Sequence, residues 1–217
     1  MTDPDRLIAV NEIFTSLQGE GMYCGAPMTF IRVSGCNLAC EWCDQPDTIH
    51  DGFVDRHGKE WKLVYTKMLC TNILQQVLKW PTRRACLTGG EPSAHKLGEL
   101  VGLLHVAGFQ VHMESNGTRQ PEWLDHVDHL VVSPKRGHKV HVNVLRRAKE
   151  LKLIVDKDFS IDEALDYSYN FDGPVYLSAA NWQNNIDWPR VMEVMRIVQR
   201  YPRFRMTMQL HKVLEIK

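Results

Sequence analysis

The chain has 217 residues, of which 44% are hydrophobic and 24% are charged, a mixture typical of proteins that fold around an apolar core. Its 26 Lys and Arg residues equal its 26 Asp and Glu residues, so the formal net charge is zero. This balance argues against a sequence-indifferent nucleic-acid binder, which needs a surplus of cations to neutralise phosphates. The length predicts a single domain over residues 1–217.

Targeting signals are not evident in the sequence. No run reaches the roughly 18 apolar residues that a membrane-spanning helix needs. The start of the chain, Met-Thr-Asp-Pro-Asp-Arg, is acidic and polar, whereas a secretory signal has a basic start and an apolar run. We therefore expect a cytoplasmic protein with neither a membrane nor a nucleic acid as its partner.

The first half of the chain alternates between short β-branched runs and amphipathic stretches. Residues 29–33 predict a strand, and the apolar spacing over 67–80 predicts a helix that stops at a proline. A short buried strand is expected at 85–87. The next helix has its apolar face at 97–104 and is closed by Gly108, and a strand at 109–113 follows it.

The second half continues this alternation. The predicted elements are strands at 130–132, 153–155, 175–177 and 205–210, helices at 143–150 and 160–169, and a helix capped by Asp187 with Pro189 in its first turn. Strands that alternate with helices predict an α/β fold with a parallel sheet.

About six such strands fall short of a closed eight-fold barrel, which typically has about 250 residues. We favour a partial (β/α) barrel with reduced helices over a doubly wound sheet. In both folds the functional groups lie at the carboxyl ends of the strands.

Three of the six cysteines, Cys36, Cys40 and Cys43, fall within one short loop. Clustered thiols in a reducing compartment are typical of metal sites. A zinc site closes with four ligands, and His50 is a candidate for the fourth. A [4Fe–4S] cluster normally takes four thiolates, so three thiolates leave one iron open to a small molecule.

Residues 35–43, Gly-Cys-Asn-Leu-Ala-Cys-Glu-Trp-Cys, resemble the cluster loop of radical S-adenosylmethionine (SAM) enzymes. Residues 88–92, Thr-Gly-Gly-Glu-Pro, resemble the glycine-rich motif of the same superfamily. In these enzymes the amino and carboxylate groups of SAM chelate the open iron. The resemblance implies a radical SAM core, with a cluster loop over residues 34–50 whose three cysteines hold the cluster.

Further motifs are similar, in the same order, to those of the 7-carboxy-7-deazaguanine synthases. They are Leu-Gln-Gly-Glu-Gly at 17–21, Phe-Ile-Arg at 30–32, Glu-Ser-Asn-Gly-Thr at 114–118, Val-Ser-Pro-Lys at 132–135 and Gln-Leu-His-Lys at 209–212.

The reaction that this resemblance implies is the conversion of 6-carboxy-5,6,7,8-tetrahydropterin to 7-carboxy-7-deazaguanine with loss of ammonia, a step toward queuosine and related 7-deazapurines. A radical derived from SAM would remove hydrogen from the substrate carbon that bears the carboxylate. The ring would then contract, and SAM would be regenerated.

The resemblance also implies the ligand-binding residues. For SAM these are Trp42, Cys43, Asp44, Gly90, Glu91, Glu114, Ser133, Pro134, Lys135, Ser178, Ala179, Ala180 and Asn181. For the pterin they are Leu17, Gln18, Gly19, Glu20, Arg32, Thr88, His211 and Lys217, with a C-terminal segment at 205–217 that closes the site. Independently of the resemblance, Arg32 suits a carboxylate clamp, and Gln18 and Glu20 suit the polar edge of a pterin.

One position departs from the family pattern. The family usually has Thr or Ser two residues after the third cysteine, where the hydroxyl binds Mg²⁺, and this chain has Gln45. A carboxamide oxygen is a suitable hard ligand for Mg²⁺, and Thr48 or Asp47 are alternative ligands. The implied partners are a flavodoxin-like electron donor and a second copy of the chain.

Two other functions remain open at this stage. One is a different radical SAM enzyme, such as an activase that installs a glycyl radical on a partner protein. The other is a zinc-binding interaction module without catalysis, which would hold one zinc ion instead of an iron–sulfur cluster.

Overall fold

The structure is a computed structural model that describes residues 7–182 and 185–216. Its strands are β1 (Leu7–Leu17), β2 (Pro27–Val33), β3 (Phe53–Val54), β4 (Glu60–Trp61), β5 (Thr66–Leu69), β6 (Arg84–Gly89), β7 (Gln110–Ser115), β8 (His129–Val132), β9 (Glu150–Val155), β10 (Val175–Ala179) and β11 (Phe204–Met206). Its helices are α1 (Cys70–Val77), α2 (Gly98–Val106), α3 (Val142–Arg147), α4 (Ile161–Tyr169), α5 (Trp188–Arg200) and α6 (Leu210–Val213).

The described residues form one nine-stranded sheet in the order β11-β10-β9-β8-β7-β6-β2-β1-β5 and a separate β3–β4 hairpin. The seven strands β2, β6, β7, β8, β9, β10 and β11 are parallel to their neighbours within this set. Strand β1 is antiparallel to both β2 and β5. The end strands β5 and β11 do not pair, so the sheet is open. The predicted partial barrel is confirmed, with seven parallel strands where the sequence predicted about six.

The two faces of the sheet have different chemistry because successive side chains point to opposite faces. Leu87 of β6 and Leu177 of β10 are fully buried in the main apolar core, to which the helices also contribute. The next residue of β6, Thr88, lines a cavity on the other face, together with Lys152 of β9 and Ser178 of β10. Strands that are not neighbours thus face one cavity, so the sheet curves around it.

The helices cover the outer face of the sheet, as their apolar spacing predicts. In α2, Leu100 and Leu104 are fully buried, and Gly108 follows the helix with φ +80°. In α5, Asp187 Oδ1 accepts a hydrogen bond from the N–H of Arg190 at 3.0 Å, which is the predicted N-cap. Among the described residues, no helix is long and apolar enough to cross a membrane.

The prediction for residues 67–80 was wrong at its start. Thr66–Leu69 is strand β5, which pairs with the first residues of β1, and α1 begins only at Cys70. The 11-residue β1 was not predicted at all. Both segments are held by hydrogen bonds between strands that are distant in the chain. The apolar residues at 69 and 73 have helical spacing, which does not reveal this pairing.

Two boundaries in the second half also differ from the prediction. The helix predicted at 143–150 ends at Arg147, because the N–H of Lys149 pairs with the Leu130 carbonyl and residue 150 starts β9. The strand predicted at 205–210 is only Phe204–Met206. Beyond it the chain leaves the sheet and forms α6.

The β1–β2 loop closes the end of the barrel at the amino ends of the parallel strands. Tyr23 packs edge-on against His112 and His129, with ring centroids 4.4 and 4.8 Å apart. The N–H of Met22 donates to Glu150 Oε2 at 2.8 Å, and Glu150 Oε1 lies 2.8 Å from His129 Nε2. These contacts hold the loop whose earlier residues face the cavity.

Burial, together with the nearby His129 and Arg84, lowers the pKa of His112 to about 4. The pKa of a histidine in an unfolded chain is about 6.5. Between these values the unfolded state binds more protons than the folded state, so His112 makes the protein less stable as the pH falls. We expect His112→Gln to show a smaller loss of melting temperature between pH 7 and pH 5 in calorimetry. The matched variant His126→Gln, at an exposed histidine, should keep the wild-type slope, and a wild-type slope in His112→Gln would contradict this explanation.

Candidate functional site

A cleft with an empty volume of about 1410 Å³, mouth included, opens at the carboxyl ends of the parallel strands. The structure places these predicted residues around it: Leu17, Gln18, Gly19, Glu20, Arg32, Cys36, Cys40, Trp42, Cys43, Asp44, Gln45, Thr88, Gly90, Glu91, Glu114, Ser133, Lys135, Ser178, Ala179, Ala180, Asn181 and His211. Pro134 lines a smaller neighbouring cavity together with Trp42. Lys217 lies outside the described residues.

The cluster loop is held against the end of β6 by backbone contacts. The N–H of Glu91 donates to the Gly35 carbonyl at 2.9 Å, and the N–H of Cys36 donates to the Ile49 carbonyl at 3.1 Å. A Cβ at Gly90 would lie 2.4 Å from the Gly35 carbonyl oxygen, so this approach requires glycine. The two glycine-containing motifs identified in the sequence therefore pack directly on each other.

The three clustered thiols line the cleft and are half-buried. Burial raises the pKa of the Cys36 and Cys40 thiols, and burial together with the Asp44 carboxylate raises the pKa of Cys43 to about 12. Lys135 acts in the opposite direction on Cys36 and Cys40. Buried thiols near a cation suit metal binding, because a coordinated metal displaces the thiol protons.

The donor set also fits an iron–sulfur cluster in its hydrogen bonding. The N–H of Leu38 donates to Cys36 Sγ at 3.4 Å, and hydrogen bonds to sulfur are one way in which proteins tune such clusters. No three His, Cys, Asp or Glu side chains within residues 7–182 and 185–216 converge as ligands of one metal ion. His50, the candidate fourth zinc ligand, contacts the Asp51 carbonyl and the Phe53 ring.

Glu91 is buried, and its carboxylate accepts hydrogen bonds from protein groups. Oε1 accepts from the N–H and Oγ of Ser93 at 3.0 and 2.6 Å and from Ser115 Oγ at 2.7 Å. Oε2 accepts from the N–H of Asn116 at 2.7 Å. These four bonds lock the glycine-rich motif to the end of β7, and Oε2 keeps one acceptor position.

A closed set of hydrogen bonds crosses the cleft. Lys152 Nζ donates to Glu20 Oε2 at 2.8 Å and to Glu114 Oε2 at 3.2 Å. Gln18 Nε2 donates to Glu114 Oε1 at 3.2 Å, and the N–H of Glu20 donates to Gln18 Oε1 at 3.2 Å. Burial alone would raise the pKa of Glu114, but the Lys152 ammonium, the hydrogen bond from Gln18 and the charge of Arg32 together lower it. The carboxylate therefore stays ionised at neutral pH.

The segment after β11 connects the cluster loop to the β1–β2 loop. Gln209 Nε2 and Lys212 Nζ donate to Asp44 Oδ2 at 2.9 and 3.0 Å. The N–H of Leu210 donates to the Gly19 carbonyl at 3.2 Å. Asp44, expected near the SAM adenine, is thus an anchor for the C-terminal segment.

Two more predicted residues contact this segment. A Cβ at Gly19 would lie 2.9 Å from His211 Nδ1, so the imidazole packs against the glycine backbone. Asn181 Nδ2 donates to Gln209 Oε1 at 3.1 Å, and Asn181 Oδ1 accepts from the N–H of Asp187 at 2.9 Å. The amide of Asn181 is therefore bonded within the protein.

Gln45 lines the cleft two residues after Cys43. The other candidate magnesium ligands are engaged elsewhere: Thr48 Oγ1 donates to the Gln45 carbonyl at 2.7 Å, and Asp47 Oδ2 accepts from Asn11 Nδ2 at 3.3 Å. Gln45 and Thr48 both line the cleft, whereas Asp47 is not among its lining residues.

Comparison with known proteins agrees with this arrangement. A model of the radical SAM superfamily matches residues 30–136. A 7-carboxy-7-deazaguanine synthase of Bacteroides thetaiotaomicron is 38% identical over 96% of this chain and 98% of its own length. One from Aquifex aeolicus is 39% identical over 72% of this chain and 68% of its own length. The chain belongs to the 7-carboxy-7-deazaguanine synthase family.

A solved structure shares the fold of this family member. The crystal structure of QueE from Escherichia coli matches with a TM-score of 0.75 and 26% identity, over 94% of this chain and 95% of that chain. As a radical SAM enzyme, the synthase uses a [4Fe–4S] cluster and SAM.

Three residues of the synthase site were not predicted individually from the sequence: Lys152, Gln209 and Lys212. Gln209 and Lys212 lie in a motif that the sequence comparison had singled out, but their contact with Asp44 joins segments that are distant in the chain. A lysine between Leu151 and Leu153 in a buried strand is a signal that could have identified Lys152, because an unpaired lysine is rarely buried.

We expect Lys212→Met to destabilise the synthase. The Lys212 side chain is 2% exposed and that of Asp44 is 29% exposed, so the variant leaves a partly buried carboxylate without its cation. The expected loss in the free energy of unfolding is about 1–3 kcal/mol, measured by denaturant unfolding at pH 7 against Lys62→Met at an exposed position. Equal stability of the two variants would contradict the anchor described here.

The stability contributed by the Asp44–Lys212 ion pair depends on pH. Burial alone would raise the pKa of Asp44, but Lys212 and Gln209 outweigh burial and lower it. The stability that this ionised carboxylate contributes is complete above its unfolded pKa of about 3.9 and is lost as the pH falls through the lower folded pKa. The difference between wild type and Lys212→Met should therefore shrink below about pH 4.

Proposed function

We propose that the protein converts 6-carboxy-5,6,7,8-tetrahydropterin to 7-carboxy-7-deazaguanine with release of ammonia. The observation that carries this proposal is one cleft that brings the thiols of the cluster loop together with Gln18, Glu20 and Arg32. The names of its relatives give the product, and the polar groups of the cleft suit a flat heterocycle with a carboxylate.

The chain's own residues divide between the two cofactors. Cys36, Cys40 and Cys43 would hold the cluster by three corners. Gly90 would approach the amino-acid part of SAM, with Glu91 acting as the side chain that positions it. When bound, the cluster and SAM supply the one-electron chemistry that removes hydrogen from the substrate, and the protein supplies alignment and exclusion of water.

Arg32 is positioned to bind the substrate carboxylate. Its Nε donates to Glu12 Oε1 at 3.1 Å, and its guanidinium lies 5.6 Å from the centre of the Phe14 ring. The ion pair and the ring fix the plane of the guanidinium, whose fork matches a carboxylate. Because the side chain is preorganised, less conformational entropy is lost when the substrate binds.

The other polar groups of the cleft suit the ring of the pterin. The Glu20 carboxylate is an acceptor for ring N–H and amino groups. The Gln18 amide bonds to Glu114 and to the Glu20 N–H, and keeps one N–H and one acceptor position for the ring. Burial lowers the pKa of His211, so its imidazole is neutral at neutral pH and has one donor and one acceptor nitrogen. These groups hold the substrate while the C-terminal segment covers it.

We propose that Mg²⁺, where it is used, is held by the Gln45 carboxamide oxygen together with the substrate carboxylate. The support is the placement of Gln45 at the cleft. Thr48 lines the same cleft but donates its hydroxyl hydrogen to the Gln45 carbonyl, and Asp47 accepts a hydrogen bond from Asn11. Oxygen ligands from one protein group plus substrate are a common arrangement for this ion.

We also propose two protein partners. Ala39 and Glu41, at the outer edge of the cluster loop, are exposed, so a flavodoxin-like one-electron donor can approach the cluster there. A second copy of the chain is supported by Trp188 and Met192, which are 56% and 43% exposed and four residues apart on α5. Exposed apolar residues on one helix face are typical of interfaces.

The reaction is tested with anaerobically reconstituted enzyme, SAM, dithionite and the carboxypterin. We expect an ultraviolet-absorbing deazapurine acid in wild type and a kcat/KM lowered at least about tenfold in Arg32→Met, the scale of one lost charged hydrogen bond. Arg196→Met, at an exposed arginine on α5, should match wild type. Absence of product from a fully loaded wild-type enzyme would exclude this function.

Magnesium dependence is tested by a Mg²⁺ titration of the initial rate after chelation. We expect Mg²⁺ to stimulate the wild type, and Gln45→Ala to lose most of this stimulation because the oxygen ligand is removed. Asp47→Asn should respond as wild type does. A full Mg²⁺ response in Gln45→Ala would exclude Gln45 as the ligand, and a wild type that does not respond would exclude the ion.

A further inference from the structure

Lys152 lies at the centre of the cleft between two carboxylates from different parts of the chain. Its Nζ is 2.8 Å from Glu20 Oε2, in the β1–β2 loop, and 3.2 Å from Glu114 Oε2, on β7. The Lys152 side chain is 12% exposed, and those of Glu20 and Glu114 are 10% and 23% exposed. The three charges are thus largely shielded from water. Electrostatic interactions are stronger in such a shielded environment than in water.

The two carboxylates face different ligands under the proposed function. Glu20 belongs to the residues expected to bind the pterin, and Glu114 to those expected to bind the SAM ribose. Ser178, in the strand end that also borders the SAM pocket, donates to Glu20 Oε1 at 3.1 Å. The hydrogen bonds around Lys152 therefore run without interruption from one ligand subsite to the other.

Lys152 compensates the charge of both carboxylates. Each lies within 3.2 Å of the same nitrogen, so the two carboxylates are close to each other, and without a cation between them they would repel each other. Burial would lower the pKa of Lys152, but Glu114 and Glu20 outweigh burial and raise it. The bridge therefore stays charged throughout the physiological range.

We propose that Lys152 is a positioning residue that couples the binding of SAM to the binding of the pterin. This inference rests on the proposed function. A ligand that donates hydrogen bonds to one carboxylate orders that side chain, and through the shared ammonium it orders the other. The second ligand then meets an acceptor that is already oriented, so its binding loses less entropy. By thermodynamic linkage, each ligand must strengthen the other by the same factor.

The test measures the dissociation constant of SAM by isothermal titration of the cluster-loaded enzyme, without reductant, in the absence and presence of saturating 6-carboxytetrahydropterin. The ratio of the two constants is the coupling factor, and a titration in the reverse order gives an independent value. The variants are Lys152→Met and, as a matched control, Lys157→Met at an exposed lysine in the loop after the same strand.

We expect the pterin to tighten SAM binding at least about fivefold in wild type, the lower end of typical allosteric coupling, and equally in Lys157→Met. In Lys152→Met the factor should fall below about twofold. A wild-type factor in Lys152→Met would overturn the inference, as would a wild type that binds both ligands without coupling. A wild type that binds SAM but not the pterin would contradict the proposed function as well.

Lys152→Met leaves two carboxylates without their cation and therefore carries a risk of misfolding. The double variant Lys152→Met/Glu20→Gln removes one positive and one negative charge and keeps the bond between Gln18 and Glu114. The double variant also lacks one expected pterin contact, at Glu20. The pterin concentration that saturates this variant is therefore determined first by a direct titration. The same loss of coupling is expected, and a wild-type factor in the double variant would overturn the inference.

Discussion

The site depends on the close backbone approach between the cluster loop and the end of β6. Glycine at position 90 lets the chain come within hydrogen-bond distance of the Gly35 carbonyl, directly before the first cysteine of the loop. Glu91 then ties this junction to the end of β7 through Ser115 and Asn116. The start of the cluster loop and the glycine that would face SAM are therefore held together, and such alignment is what a reaction between positioned groups requires.

The inner face of the barrel has charged side chains where an apolar face would be more stable. The outer face of the same strands is apolar, and residues such as Leu87 and Leu177 are fully buried. On the inner face, Glu20, Glu114 and Lys152 are charged and mostly shielded from water, and an ionised group there is tolerated only when it is paired. The charged groups satisfy one another and face the cleft in which the substrate and SAM are expected to bind.

The sequence predicted the elements whose evidence is local. The parallel strands and helices such as α2 and α5 follow from apolar spacing, capping residues and breakers. The placement of nearly all the expected site residues at one cleft also agrees with the motifs. Strand β5, the early end of the last strand and the bridge at Lys152 were missed because each depends on a partner far away in the chain. Pairing between distant segments leaves no periodic signal, so tertiary contacts decide those positions.

We infer that three thiolates of one loop hold an iron–sulfur cluster that keeps one iron open. The most direct measurement is iron and sulfide analysis with electron paramagnetic resonance of the anaerobically purified, reduced protein, in wild type, Cys40→Ala and Cys24→Ala. Cys24 is exposed and lies outside the cluster loop. In wild type and Cys24→Ala we expect about four irons per chain and a signal that shifts on addition of SAM. In Cys40→Ala we expect both the iron and the signal to be lost. A wild type without iron, or a Cys40→Ala variant with the full cluster signal, would contradict this inference.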